Sequence, residues 1–240
     1  MTEEIYFAST HSTYTPSSPS LPTDDFTAPP LTPNTIFYLA TIAPHTDTHT
    51  ITGPVTTFTH LLPAIERTVN DSPSAIDKLD ALRTIEDVWG DTEANHDFEA
   101  RGFTTFIVKG QRGTYTVLQI LREDNADVFA NLPCPVYTIT THGPLSAEGK
   151  GYVGATELVG SWVERKDARD VAERCMVEML EGEEGVKRSE DWGVGGKGAG
   201  ILMGMTAEKR WEVRIAYEDQ VLKRAKEGME RKGEYVVWRL

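Results

Sequence analysis

The residues able to do chemistry fall into a few small groups. His45-Thr-Asp47-Thr-His49 sets three metal-ligand side chains at alternate positions. On a flat strand they share a face, but alternate residues advance about 6.6 Å, which leaves the two histidines about 13 Å apart. Zinc needs ligands near about 2.1 Å, so one ion meets both only across a turn centred on Asp47, with His60 approaching. The plainer reading is a polar hairpin loop, and no metal site is assigned.

Two glycine runs, Gly149-Lys-Gly151-Tyr-Val-Gly154 and Gly193-Val-Gly195-Gly-Lys-Gly198, fit G-x-G-x-x-G. A dinucleotide site needs a strand before the glycines and a helix after them, so that phosphate meets the helix N-terminus. Both runs instead lead into β-rich segments, at Thr156 and Ile201, and Lys197 is followed by Gly198, which excludes the Walker pattern. They read as flexible connections whose lysines are able to draw an anion into a backbone nest. No cofactor is expected.

For nucleophilic catalysis the candidates are Cys134, Cys175 and His142. Cys175 falls on the inner face of a helix, as a small core residue does. Cys134, between Pro133 and Pro135, stands about 25 Å from His142 along an extended strand, out of hydrogen-bond reach. No Gly-x-Ser-x-Gly elbow occurs, and no catalytic residue is assigned. Strand aromatics such as Phe37, Tyr38, Tyr137, Trp211 and Tyr217 read first as core. His142, Trp162 and Tyr217 are the candidates to line a ligand cleft, should one exist.

These residues sit in a chain of 240 with net charge −13 and two cysteines. Residues 1–100 hold fifteen acids and three bases, and residues 101–240 hold twenty-two and twenty-one, so nearly the whole excess lies in the first part. An anionic face repels phosphate backbones and anionic lipid alike, so neither nucleic acid nor membrane is an expected partner. There is no apolar run of transmembrane length and no leader-like N-terminus, and two cysteines are too few for a disulfide framework. A cytosolic or nuclear location is the expectation.

Residues 1–33 carry six prolines and neither Lys nor Arg, and are expected to form a flexible tail. Pro16, Pro19 and Pro22 make P-x-x-P spacings, and Thr15, Ser18 and Thr32 each directly precede a proline, as phosphate acceptors do. Beyond the tail an internal repeat emerges. Thr35–Pro44 parallels Pro135–Pro144 at a shift of 100, and Ile51-Thr-Gly53 parallels Leu158-Val-Gly160 at 107. Glu66-Arg67 matches Glu173-Arg174 at 107, and Tyr115-Thr-Val117 with Leu121 matches Trp211-Glu-Val213 with Tyr217 at 96. The difference in shift is taken up by an acidic helical insertion at 71–100, where Ile76, Leu79, Leu82, Ile85 and Trp89 recur at helical spacing.

Each copy reads strand, strand, helix, strand, strand. In the second copy, 136–141 and 156–163 are β-rich. Residues 166–180 put Ala168, Val171, Ala172, Cys175 and Met179 on one helical face, and 201–205 and 211–217 are strands. A helix over 220–231 and a strand at 235–238 complete a β-α-β-β-α-β order over 156–240. The expected fold is therefore α+β: two tandem ββαββ or ferredoxin-like modules with mainly antiparallel sheets, at 34–132 and 133–240, side by side and sharing the strand near 136.

Val136-Tyr137…His142, Glu157-Leu-Val-Gly160-Ser-Trp162 and Lys166-Asp-Ala168-Arg…Ala172 together resemble small β-β-α modules of uncharacterised fungal and bacterial proteins. The resemblance spans about 50 residues of the second copy. Pro54 and Pro63 depart from it in the first. It implies a structural module and carries no activity or site residue. The resulting expectation is a non-catalytic binding or interaction protein whose partner is a protein or a small molecule. The alternative is a small-molecule enzyme or carrier with a cleft between the two modules.

Overall fold

The computed structural model describes residues 22–84, 98–192 and 199–218. The fold is α+β with two antiparallel sheets. Strands β1 (Thr35–Ala43), β2 (Thr48–Val55), β3 (Thr105–Lys109) and β4 (Tyr115–Asp124) form the first, in the order β2-β1-β4-β3. Strands β5 (Val136–Ser146), β6 (Thr156–Trp162), β7 (Lys187–Asp191), β8 (Gly200–Met205) and β9 (Lys209–Glu218) form the second, in the order β6-β5-β9-β8-β7. The helices are α1 (Leu62–Val69), α2 (Pro73–Thr84), α3 (Ala126–Asn131), the single turn α4 (Tyr152–Ala155), and α5 (Arg165–Met179).

Alternation along the strands separates two faces in each sheet. In the first, Phe37, Leu39, Phe106, Leu118 and Ile120 point to the side covered by Ile65 and Val69 of α1 and Ala75 and Leu79 of α2. Pro63 opens α1, where its missing N–H costs nothing. In the second, Ile139, Leu202, Trp211, Val213 and Ile215 lie under Ala168, Ala172 and Met176 of α5. Each large side chain buried in this way stabilises the fold by about 1.5–3 kcal/mol before chain entropy is counted. The other faces of the two sheets look toward each other, and Ile36, Tyr38, Val128 and Val136 form a small third core between them.

The sheet orders β2-β1-β4-β3 and β6-β5-β9-β8 place strands at the shifts of the repeat side by side in the same sequence. Thr41 lies opposite Thr50 and Leu118, while Thr141 lies opposite Glu157 and Val213, shifts of 100, 107 and 95. The shift of 96 expected for the last strand is one residue off. In a pleated strand one residue is a change of face, so the counterpart of Val213 is Leu118, not Val117. Both are fully buried on the helix side.

Both first hairpins also carry a bulge, with the extra residue on β2 or β6. At the first, Gly53 has φ +132°, and a Cβ there would stand 2.7 Å from the carbonyl oxygen of Phe37. At the second, Gly160 has φ +146°. Only glycine adopts such angles without strain.

A ferredoxin-like order over 156–240 is not what the second sheet displays. The neighbour of β6 is β5, not β9, which pairs with β5 and β8 instead. Nor do the sheets share the strand near 136, since β5 pairs only within the second. The expected elements at 220–231 and 235–238, the latter part of the acidic insertion, the second glycine run, and the proline-rich stretch with Thr15, Ser18 and its P-x-x-P spacings lie outside the described residues.

Within the expected tail, Asp24, Asp25 and Phe26 hold to β3. Asp24 Oδ1 accepts from the backbone N–H of Ile107 and from Lys78 Nζ, both at 2.7 Å. The backbone of Asp25 bridges Thr105, and the Phe26 ring lies 6.1 Å from that of Phe106. No helix among the described residues is long and apolar enough to cross a membrane.

Candidate functional site

Where the two sheets face each other, polar groups from both converge. One end is a closed seam. Tyr38 Oη donates to Glu123 Oε2 at 2.6 Å and lies 2.8 Å from Ser161 Oγ, itself 2.8 Å from Thr138 Oγ1. Asn125 Nδ2 reaches both Glu123 Oε1 and the Ser161 carbonyl, while its Oδ1 caps α3 at Val128 N. Burial first, and then the Glu123 charge, push the Tyr38 phenol far above its usual range, so it stays a donor. The bulge at Gly160 brings these groups close: a Cβ on it would lie 3.2 Å from Glu123 Oε1.

Beyond the seam the sheets part into a partly open cleft of about 200 Å³. Its walls are β2 on one side, with His49, Ile51 and Gly53, and β5 and β9 on the other, with Thr138, Thr140, His142 and Arg214. His142 is the central group and is buried. Its Nδ1 lies 2.8 Å from Thr156 Oγ1 and its Nε2 lies 3.1 Å from Thr140 Oγ1, so the ring is pinned at both nitrogens. Burial, and next the charge of Arg214, push its pKa down to about 4, leaving a neutral imidazole at neutral pH. His49 is likewise held down by burial.

The rim is electrostatically organised around Glu212, which is fully buried between two guanidinium groups. Arg214 Nη2 pairs with its Oε2 at 2.6 Å, and Arg210 pairs with Oε1. Tyr152 of α4 stands edge-on to His142, with ring centroids 5.5 Å apart. Its hydroxyl donates to Glu212 Oε1 and accepts from Arg214 Nη2, each at 3.1 Å. Burial and the Glu212 charge raise the Tyr152 phenol. Two arginines on one carboxylate leave a net positive charge beside the cleft.

Of the three residues expected to line a cleft, only His142 does. Trp162 and Tyr217 belong to the opposite, helix-covered side of the second sheet, where Trp162 packs on the second core and the Tyr217 ring lies tilted against Tyr137, with centroids 5.3 Å apart. The reason is strand parity. Thr138, Thr140 and His142 share one face of β5, whereas Tyr217 continues the Trp211–Val213–Ile215 row of β9. The cleft residues sequence reasoning passed over are Thr140, Thr156, Arg214 and His49. For Thr140 and Arg214 the signal was present in the polar half of each alternation, Thr138-x-Thr140-x-His142 and Glu212-x-Arg214.

The His45-Asp47-His49 segment does turn at Asp47, which has φ 50°. His45 is exposed, His49 enters the cleft, and Asp47 accepts backbone N–H groups from Gly151 and Val153. No group of three or more metal-ligating side chains gathers among the described residues. Cys134 is exposed ahead of β5, and Cys175 packs against the second core. The first glycine run leads into α4 and then β6, and its Gly151 and Val153 amides face a carboxylate rather than a phosphate. Compared with known protein families, curated proteins and solved structures, the chain matches none.

Proposed function

We propose that the protein is a binding protein for a small polar molecule, received in the cleft between the two sheets. The observation that carries this is the pinned, neutral His142 at the centre of a cleft to which both sheets contribute polar side chains. A buried imidazole held by two threonine hydroxyls is preorganised, so a ligand meets fixed groups and little ordering cost. The volume is below the 300–1,000 Å³ typical of drug-sized ligands, which favours a molecule of few atoms. The same reading takes residues 34–132 and 133–240 as two related ββαββ modules with the ligand at their junction. Two free cysteines support a reducing compartment, cytosol or nucleus.

Native mass spectrometry of the full chain purified from its own cells tests the reading. The expected result is a stoichiometric small molecule that is lost in His142→Phe while the fold is retained. Recovery of a tightly bound protein partner, with the cleft empty in both forms, overturns it.

A further inference from the structure

The cleft has both a positive side and a bare acceptor. On the positive side, Arg214 spends Nε and Nη2 on Glu212 and Tyr152, and its Nη1 has no partner among the described residues. Because Arg210 shares Glu212, the carboxylate does not cancel both guanidinium charges. No carboxylate lines the cleft to compete. The field of Arg214 is felt at His142 on the same wall, where it opposes protonation.

The acceptor is His49. Nδ1 of this ring is buried with no hydrogen-bond partner among the described residues. The backbone of Val153 favours a proton on the ring, here assigned to Nε2. In a neutral imidazole that leaves Nδ1 as a lone pair. A buried acceptor without a donor is costly, and a ligand O–H or N–H relieves that cost.

Building on the reading of the cleft as a ligand site, we propose that its ligand is a small organic carboxylate that also carries a hydroxyl or amine. The carboxylate lies against Arg214 and the hydroxyl or amine donates to His49 Nδ1. A carboxylate accepts paired N–H groups from a guanidinium, and such charge-assisted bonds are about twice as strong as neutral ones. The neutral imidazole of His142 and the hydroxyl of Thr140 then flank the ligand without adding charge of either sign.

Three matched probes separate the elements of the proposal: lactate has both groups, propionate lacks the hydroxyl, and lactamide lacks the charge. Affinities are read by chemical-shift titration of the full chain, following the amides of residues 49–51 and 138–142. Lactate is expected to bind about tenfold more tightly than either of the others. Arg214→Gln should erase the preference for lactate over lactamide and Arg214→Lys should keep part of it. His49→Phe should erase the preference over propionate alone. Circular dichroism of each variant guards against misfolding, and Arg214→Lys serves if Arg214→Gln does not fold. Lactamide binding in the cleft as tightly as lactate overturns the carboxylate while the cleft reading survives. Equal binding of propionate overturns the donor. Absence of any shift in those amides at saturating concentrations of all three overturns this proposal and the cleft reading together.

Discussion

Asp47 Oδ2 accepts the backbone N–H of Gly151 at 2.6 Å, joining the tip of the β1–β2 hairpin to the turn that precedes β6. Oδ1 takes the Val153 amide at 3.3 Å. These bonds hold the Asp47 carboxyl below its usual range, the Gly151 amide first. They also set α4, and with it Tyr152, against His142. Replacing Asp47 by Ala should therefore speed hydrogen exchange at the Gly151 and Val153 amides by roughly tenfold, as expected for losing one hydrogen bond. Asp47→Asn, which keeps an acceptor oxygen, should fall between. Unchanged protection in the Ala variant would show that the turn stands without this clasp.

The depressed pKa of His142 makes a pH prediction of definite sign. Above pH 6.5 the imidazole is neutral in both folded and unfolded chains and contributes no slope. As pH falls below 6.5 the unfolded chain takes up the proton, while the folded one resists down to about 4. Stability should thus decline across that window, by on the order of 2 kcal/mol. His49, lowered in the same direction, adds to the decline. Urea unfolding of wild type and His142→Gln between pH 7 and 4.5 measures it, and the variant should show the shallower slope.

At the seam between the sheets, Tyr38→Phe removes the donor from a buried carboxylate. Glu123 keeps Asn125 but loses its shortest bond, and Ser161 loses a neighbour. The expected cost is about 1–3 kcal/mol, seen as a lower unfolding midpoint in urea. Because the two groups touch, a double-mutant cycle with Glu123→Gln should give a coupling above about 0.5 kcal/mol. A coupling near zero would mean the hydroxyl and carboxylate act independently.

The attachment of the N-terminal segment to β3 gives a fourth expectation. Asp24→Ala orphans the Ile107 amide and frees Lys78, whose ammonium also bonds the Ile107 carbonyl at 2.6 Å and lies 3.9 Å from the Phe106 ring centroid. The ion pair is partly exposed and counts for little, so most of the loss is the amide, about 1 kcal/mol. Deleting residues 1–27 removes Phe26 as well and should lower the thermal midpoint by several degrees, measured by scanning calorimetry. An unchanged midpoint would show that the segment rests on β3 without supporting it.

The α+β character with antiparallel sheets was legible because it rests on local signals. Thr41 and Thr141, and the glycines at 53 and 160, mark equivalent points where the chain alternates or kinks. The one-residue error on the last strand arose because Val117 and Leu118 are both apolar, so composition did not say which one faces the helices. Strand β7 was invisible: Lys187-Arg-Ser-Glu-Asp191 is exposed at every position, so no alternation announces it. The cleft was legible as a possibility but not in its lining. Trp162 and Tyr217 were attractive as aromatics, whereas Thr140, Thr156 and Arg214 look like ordinary surface until two sheets close on them. That closure depends on contacts between residues more than 100 apart, such as Tyr38 with Ser161 and Asp47 with Gly151, which no local window contains.

That same β7 decides how the protein behaves in a crowd. Among the described residues it is the last strand of its sheet, and such an edge is the usual template for stacking one molecule on the next. Here the rim carries Lys187, Arg188, Glu190 and Asp191 in five residues, with both signs present. A second copy approaching in register would have to desolvate these charges for little apolar gain. Neutralising them, for example with Lys187→Val and Asp191→Val together, should turn a self-limiting sheet into one that grows.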